Sequence, residues 1–230
     1  ARRAARPGAM SSQPLILSFQ VAFTATVIAG VFGVALAGLM SRARFFGSDL
    51  VDTLITAPMV LPPTVLGYYL LLAIGRNGAL GRAYEAVIVS PLVFTPAAAV
   101  LASTIAALPF VVKSARAAME DVDPRLSAAA ATLGASPLKA FLTVVLPLSQ
   151  SGLLAGLTLG FARALGDFGV TLMVAGNIPG LTQTGSLAIY DAVQANREAE
   201  AAGMVALMSA FAVAALYLGT KLVRRRPHAW

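Results

Sequence analysis

The apolar runs of this chain are too long and too free of charge for a water-soluble globule. Residues 15–40, 53–74, 86–112 and 201–220 hold no Asp, Glu, Lys or Arg, and residues 140–175 are interrupted only by Arg163 and Asp167. A helix needs about 20 apolar residues to cross roughly 30 Å of hydrocarbon. The pattern therefore predicts five transmembrane helices and an all-α integral membrane fold. Composition agrees, with 58% of residues hydrophobic, 12% charged and a mean hydropathy of +0.79. That leaves too little polar surface to cover a soluble fold. The first run is longer than the apolar core of a signal peptide and ends at no small-residue cleavage site, so a removable leader is not expected.

The net charge of +7 raises nucleic acid as a partner. However, no basic stretch is interleaved with aromatics, and the charges fall between apolar runs, so nucleic acid is excluded. Cations flanking apolar segments instead set membrane orientation. Lys221, Arg224, Arg225 and Arg226 follow the last run directly, which places the C-terminus in the cytoplasm. The loops 41–52 (Arg42, Arg44) and 113–139 (Lys113, Arg116, Arg125, Lys139) then also lie inside. Arg76, Arg82 and Arg197 lie outside, together with Arg2, Arg3 and Arg6. The last three oppose the rule, and Met10 stands just before the first run. The expectation is that residues 1–9 precede the native start and that 1–11 form a tail. Residues 12–223 then form the membrane domain and 224–230 a basic cytoplasmic tail. A peptide containing Arg6 in mass spectrometry of the purified protein would refute the first point.

The runs are not plain lipid-facing rods. The second contains Pro58, Pro62 and Pro63, and the third contains Pro91, Pro96 and Pro109. Proline removes a backbone hydrogen bond and kinks a helix, and in lipid the freed carbonyls need protein or water partners. In the fourth, Gly152, Gly156 and Gly160 form a G-x-x-x-G-x-x-x-G ribbon extended by Ala164, a spacing that lets a second helix approach closely. Arg163 and Asp167 each follow a ribbon glycine by two helical turns, so on a continuous helix both project from roughly the ribbon's face. Four residues apart, they are placed to pair. Charges inside an apolar run face protein or a watery path. Either the pair locks helix packing, or it gates or lines an ion path, where an arginine favours anions.

Residues 123–139 carry two successive helix starts. Asp123–Pro124 and Ser136–Pro137 each read as an N-cap followed by proline at the first helical position. Gly134 sits where a helix C-terminus wants positive φ. The result is a short Ala-rich helix, a corner and a second helix entering the membrane: a cytoplasmic elbow shaped for a soluble partner. With no cysteine and one histidine, His228, disulfides, thiolate or His-rich metal sites and cysteine nucleophiles are excluded. No G-x-S-x-G, H-E-x-x-H or G-x-x-x-x-G-K-[ST] occurs, so the chain has no evident catalytic centre or nucleotide-hydrolysing loop.

Residues 128–147 resemble the cytoplasmic E-A-A-x-x-x-G-x9-I-x-L-P motif of type I ABC-importer permeases. Here it reads Ala128, Ala129, Ala130, Gly134, Val144, Leu146 and Pro147, with Ala128 in the place of the motif's Glu and Val144 in the place of its Ile. LPPTVLGYYLL (61–71), ATLGASP (131–137) and FARALGDFGVTLMVAGNIPGLTQTGSLAIY (161–190) together resemble permease subunits of molybdate ABC transporters. The likeness runs from about Leu15 to Arg225, and the sulfate and tungstate permeases are similar. The resemblance implies a homodimer of permeases in the bacterial inner membrane, coupled to two copies of a cytoplasmic ATPase and fed by a periplasmic molybdate-binding protein. ATP would be bound by the ATPase, with no cofactor in this chain. It implies coupling through Ala128, Ala129, Gly134 and Pro147, and a pathway or gate at Pro62, Pro63, Arg163, Asp167 and Gly169. Rival classes are an ATP-independent channel or secondary transporter, a membrane enzyme and a purely structural subunit. The first would carry inverted repeats or a selectivity sequence.

Overall fold

The computed structural model describes residues 12–42, 47–88 and 90–224. Arg2, Arg3, Arg6, Met10, Arg44, Arg225, Arg226 and His228 lie outside the described residues. The regular structure is helical throughout the described chain. Helices α1 (Gln13–Arg42), α5 (Pro96–Glu120) and α12 (Glu198–Arg224) are each long and apolar enough to cross a membrane. Two further crossings are bent pairs. Helices α2 (Ser48–Val60) and α3 (Pro63–Ile74) meet at 118°, and the helical stretch Pro137–Leu148 meets α9 (Gln150–Leu165) at 72°. By length and composition the described chain thus holds up to five crossings.

Three of the expected runs are partitioned differently from their hydropathy. Run 53–74 is not one kinked helix. Leu61 is extended, Pro62 occupies the cap position and Pro63 the first turn of α3, where its missing N–H would have no intrahelical partner anyway. Pro58 remains inside α2. Run 86–112 is offset: α4 (Ala79–Ile88) ends early, and the spanning helix begins only at Pro96. There Thr95 Oγ1 accepts the Ala98 N–H at 3.3 Å, and Pro96 takes the first turn. Pro91 and Pro96 therefore kink nothing, and Pro109 alone lies inside α5. Run 140–175 is divided. The short helices α7 (Pro137–Ala140) and α8 (Leu146–Leu148) flank a π turn at Phe141–Val145, α9 follows, and α10 (Gly169–Ala175) is a separate helix.

Helix α5 forms the centre. Its Ala98, Ala99, Ala102, Ala106 and Ala107 are buried, as are Ala22, Ala25 and Ala29 of α1. Such small side chains let helix backbones approach closely, so the packing comes from van der Waals contact rather than bulk. The ribbon on α9 also packs against α5, where Val111 faces both Gly33 of α1 and the ribbon. A Cβ on Gly156 would stand 2.9 Å from Ser114 Cβ, and one on Gly160 would stand 3.0 Å from Val111 Cγ2. At Gly152 a Cβ would collide with Ala118. Helix α12 leans on α9 where Gly219 covers Thr158. Its Phe211, Val213 and Leu218 are exposed, giving it an apolar outer face.

Candidate gate and coupling elbow

The elbow has the local chemistry that its sequence demands. Asp123 accepts the Arg125 N–H at 2.8 Å and starts α6 (Pro124–Thr132). At the other end Gly134 adopts φ +83°. Its N–H donates to Ala131 O at 2.9 Å, and the Ala135 N–H donates to Ala130 O at 3.0 Å. That pair of bonds is a Schellman stop, which glycine enters without the Cβ penalty of left-handed backbone. Ser136 then accepts the Lys139 N–H at 3.3 Å and starts α7. Ala128 and Ala129 are exposed, and so are Leu126, Leu133 and Leu138, with Leu133 89% exposed.

The elbow is tied to the bundle on both sides. Pro147 follows the π turn, which rearranges the helical bonds around the missing proline N–H. At the bend, Ser149 Oγ donates to Val145 O at 2.7 Å and lies 3.2 Å from Ala118 O. On the other side Glu120, the last residue of α5, accepts from Arg116 Nε at 2.7 Å. Arg116 Nη1 pairs with Asp52 of α2 at 3.2 Å, and Lys113 Nζ pairs with the same carboxylate at 2.5 Å. In the sequence Lys113 and Arg116 serve only as orientation signals, and Asp52 has no expected role. The available clue was an acid heading an apolar run, with two cations three apart on one helix face opposite it.

Away from the elbow, the break between α2 and α3 meets the break between α9 and α10. A Cβ on Gly169 would stand 2.7 Å from Pro63 Cβ, and one on Gly67 would stand 2.7 Å from Met173 Cβ. Thus α3 and α10 pack side by side, starting from the Pro62–Pro63 break and the 166–168 break. Arg163 and Asp167 do pair, at 3.1 Å, but not on one continuous helix, because α9 ends at Leu165. Asp167 heads α10 instead. Its Oδ2 accepts the Thr171 N–H at 3.1 Å and the Thr171 hydroxyl at 2.6 Å, and its carbonyl accepts from Ser186 Oγ at 2.8 Å. A carboxylate can satisfy the free N–H groups of a helix start in this way. Ser186 belongs to α11 (Gly185–Gln194), whose Gly185 N–H donates to Ser18 Oγ of α1 at 2.7 Å. Thr171, four residues after Asp167, was a readable capping signal; Ser186, nineteen residues on, was not. The candidate residues therefore fall into two groups, the elbow and the meeting of the breaks.

The sequence matches the family model described as binding-protein-dependent transport system inner membrane component over residues 14–227. The molybdenum transport system permease protein ModB of Haemophilus influenzae is 43% identical over 185 residues, covering 80% of this chain and 81% of its own. The ModB protein of Escherichia coli K12 is 38% identical over 214 residues, covering 92% and 93%. Among solved structures, an inward-facing MetNI methionine ABC transporter matches with a TM-score of 0.73 at 16% identity, over 94% of this chain and 95% of that chain. At that identity the likeness concerns the fold alone. The chain is a multi-pass membrane protein and belongs to the family of binding-protein-dependent transport inner membrane components.

Proposed function

We propose that this chain is the transmembrane subunit of an ATP-driven importer carrying molybdate across the bacterial cytoplasmic membrane. The observation that carries the reading is near full-length similarity, at 38–43% identity, to proteins named as molybdenum transport permeases. The absence of a nucleotide-hydrolysing motif fits a division of labour: a separate cytoplasmic ATPase binds ATP, and this subunit forms the path. Two copies of the chain enclose the path, two ATPase copies grip the two elbows, and a periplasmic molybdate-binding protein delivers the anion. The C-terminus is cytoplasmic. Tungstate and sulfate are the nearest alternative cargoes.

Exposed Leu126, Leu133 and Leu138 give the elbow an apolar contact surface for the ATPase, with Ala128 and Ala129 keeping the helix slim enough to enter a groove. Closure of the ATPases moves the elbows as rigid bodies. Pro147 and Glu120 stand at the elbow's two junctions, and the Pro62–Pro63 and Gly169 breaks, with Arg163 and Asp167, form the gate. The test is uptake of labelled molybdate into vesicles holding this chain, its ATPase and its binding protein, with tungstate and sulfate as competitors. Gly134→Pro forbids the φ of +83° and removes an N–H donor; it is expected to abolish co-purification of the ATPase. Retention of the ATPase by that variant would contradict the elbow's role.

A further inference from the structure

Arg163 and Asp167 are paired, yet their surroundings differ. Asp167 is 3% exposed, and both its oxygens are engaged: Oδ1 by Arg163 Nη1, Oδ2 by the Thr171 N–H and hydroxyl. A carboxylate held in this way is a fixture of the α10 start rather than a group open to cargo. Arg163 commits one N–H to the pair, out of the five that a guanidinium carries, and its side chain is 28% exposed. Arg163 stands in the last turn of α9. The helix turns Gly152, Gly156 and Gly160 to α5, Leu157 to Gly30 of α1, Phe161 to Phe19 of α1, and Thr158 to Gly219 of α12. With 3.6 residues per turn, these contacts leave Leu159 outside them, while Arg163 projects between the directions of Gly152 and Gly156, at the end of the helix beyond the last ribbon glycine. Leu159 is exposed. Just beyond the end of α9 comes the contact of Gly169 with Pro63.

We propose that Arg163 is the residue that touches the cargo in the gate. Guanidinium donors not used by Asp167 hydrogen-bond a tetrahedral dianionic oxyanion as it passes the two helix breaks, while Asp167 only holds the guanidinium in place. This rests on the importer reading given above. The planar fork of a guanidinium matches two oxygens of such an anion, and anchoring by Asp167 leaves less side-chain freedom to lose on contact. Arg163 is the sole cation within the five apolar runs of the sequence, so a dianion passing between two copies meets only this arginine of each. The neighbouring carboxylate offsets the charge and keeps the contact weak, as transit requires: favourable enough to enter, loose enough to leave.

The experiment uses the complete transporter in vesicles and reads labelled molybdate uptake and binding-protein-stimulated ATP hydrolysis side by side. Arg163→Gln is expected to lower uptake about tenfold or more while hydrolysis stays within about twofold of the unaltered protein. Arg163→Lys, which keeps the charge but loses the fork, is expected to fall between them. Unchanged uptake in Arg163→Gln, or a parallel loss of uptake and hydrolysis in both variants, overturns the proposal in favour of a packing role. If Arg163→Gln does not assemble, Arg163→Lys decides. Lower uptake with hydrolysis kept supports the proposal; unchanged uptake, or uptake and hydrolysis lost together, refutes it. Absence of uptake by the unaltered transporter would instead overturn the molybdate-importer reading itself.

Discussion

Asp167 illustrates how one side chain can serve two elements. Its carboxylate closes the start of α10 through Thr171 and anchors Arg163 of α9, so truncation strands a buried N–H and a guanidinium together. Asp167→Ala is expected to destabilise the protein by about 1–3 kcal/mol, the cost of leaving such groups unpaired. Asp167→Asn should cost less, because an amide oxygen still accepts from Thr171. Thermal unfolding in detergent checks both, and equal midpoints for the two variants would contradict the capping role. At this scale much was legible in the sequence. Asp123, Gly134 and Ser136 are local signals whose partners lie within five residues, and the structure places them as read. The Ser186 bond to Asp167 joins residues with no shared local pattern.

At the scale of elements, two contacts carry the argument. The α9 ribbon lies directly on α5, and a Cβ on Gly156 already stands 3.3 Å from the Val111 backbone. Gly156→Leu must push the helices apart. The expected cost is about 1–3 kcal/mol of overpacking, read as a lower unfolding midpoint and reduced uptake. The second contact is Asp52 with Lys113 and Arg116, which ties α2 to the end of α5 from which the elbow departs. Because these side chains are about a third exposed, the pairs should contribute only about 0.5–1 kcal/mol each; their consequence is geometric. Asp52→Lys is expected to lower uptake per ATP hydrolysed, and adding Lys113→Asp to recover part of it. No recovery in the double variant would show that the cluster does not link α2 to the elbow.

For the whole molecule, orientation is the decisive quantity, and the cysteine-free sequence makes it measurable without background. Ala128→Cys on the elbow should react with a membrane-impermeant thiol reagent only from the cytoplasmic side. Ala195→Cys, at the C-terminal cap of α11, should react only from outside. Reversed labelling would overturn both the topology and the elbow's role. The exposed apolar face of α12 predicts protection by lipid: Phe211→Cys should stay unlabelled from either side in vesicles. The five apolar runs agree with up to five crossings among the described residues but do not show where each begins. Hydropathy averages over a window, whereas the helix starts are set by single caps and prolines such as Thr95–Pro96 and Pro62–Pro63.

Membrane residence, the small-residue ribbon and the elbow with its caps and stop are determined by the sequence alone. Each depends on hydropathy or on bonds between near neighbours, and both are written in consecutive residues. Only the tertiary structure decided that Pro63 meets Gly169, that Asp52 joins Lys113 and Arg116, and that α9 stops before Asp167. Those outcomes depend on which helices lie side by side, and a charge or a glycine does not reveal its distant partner until the backbones have packed.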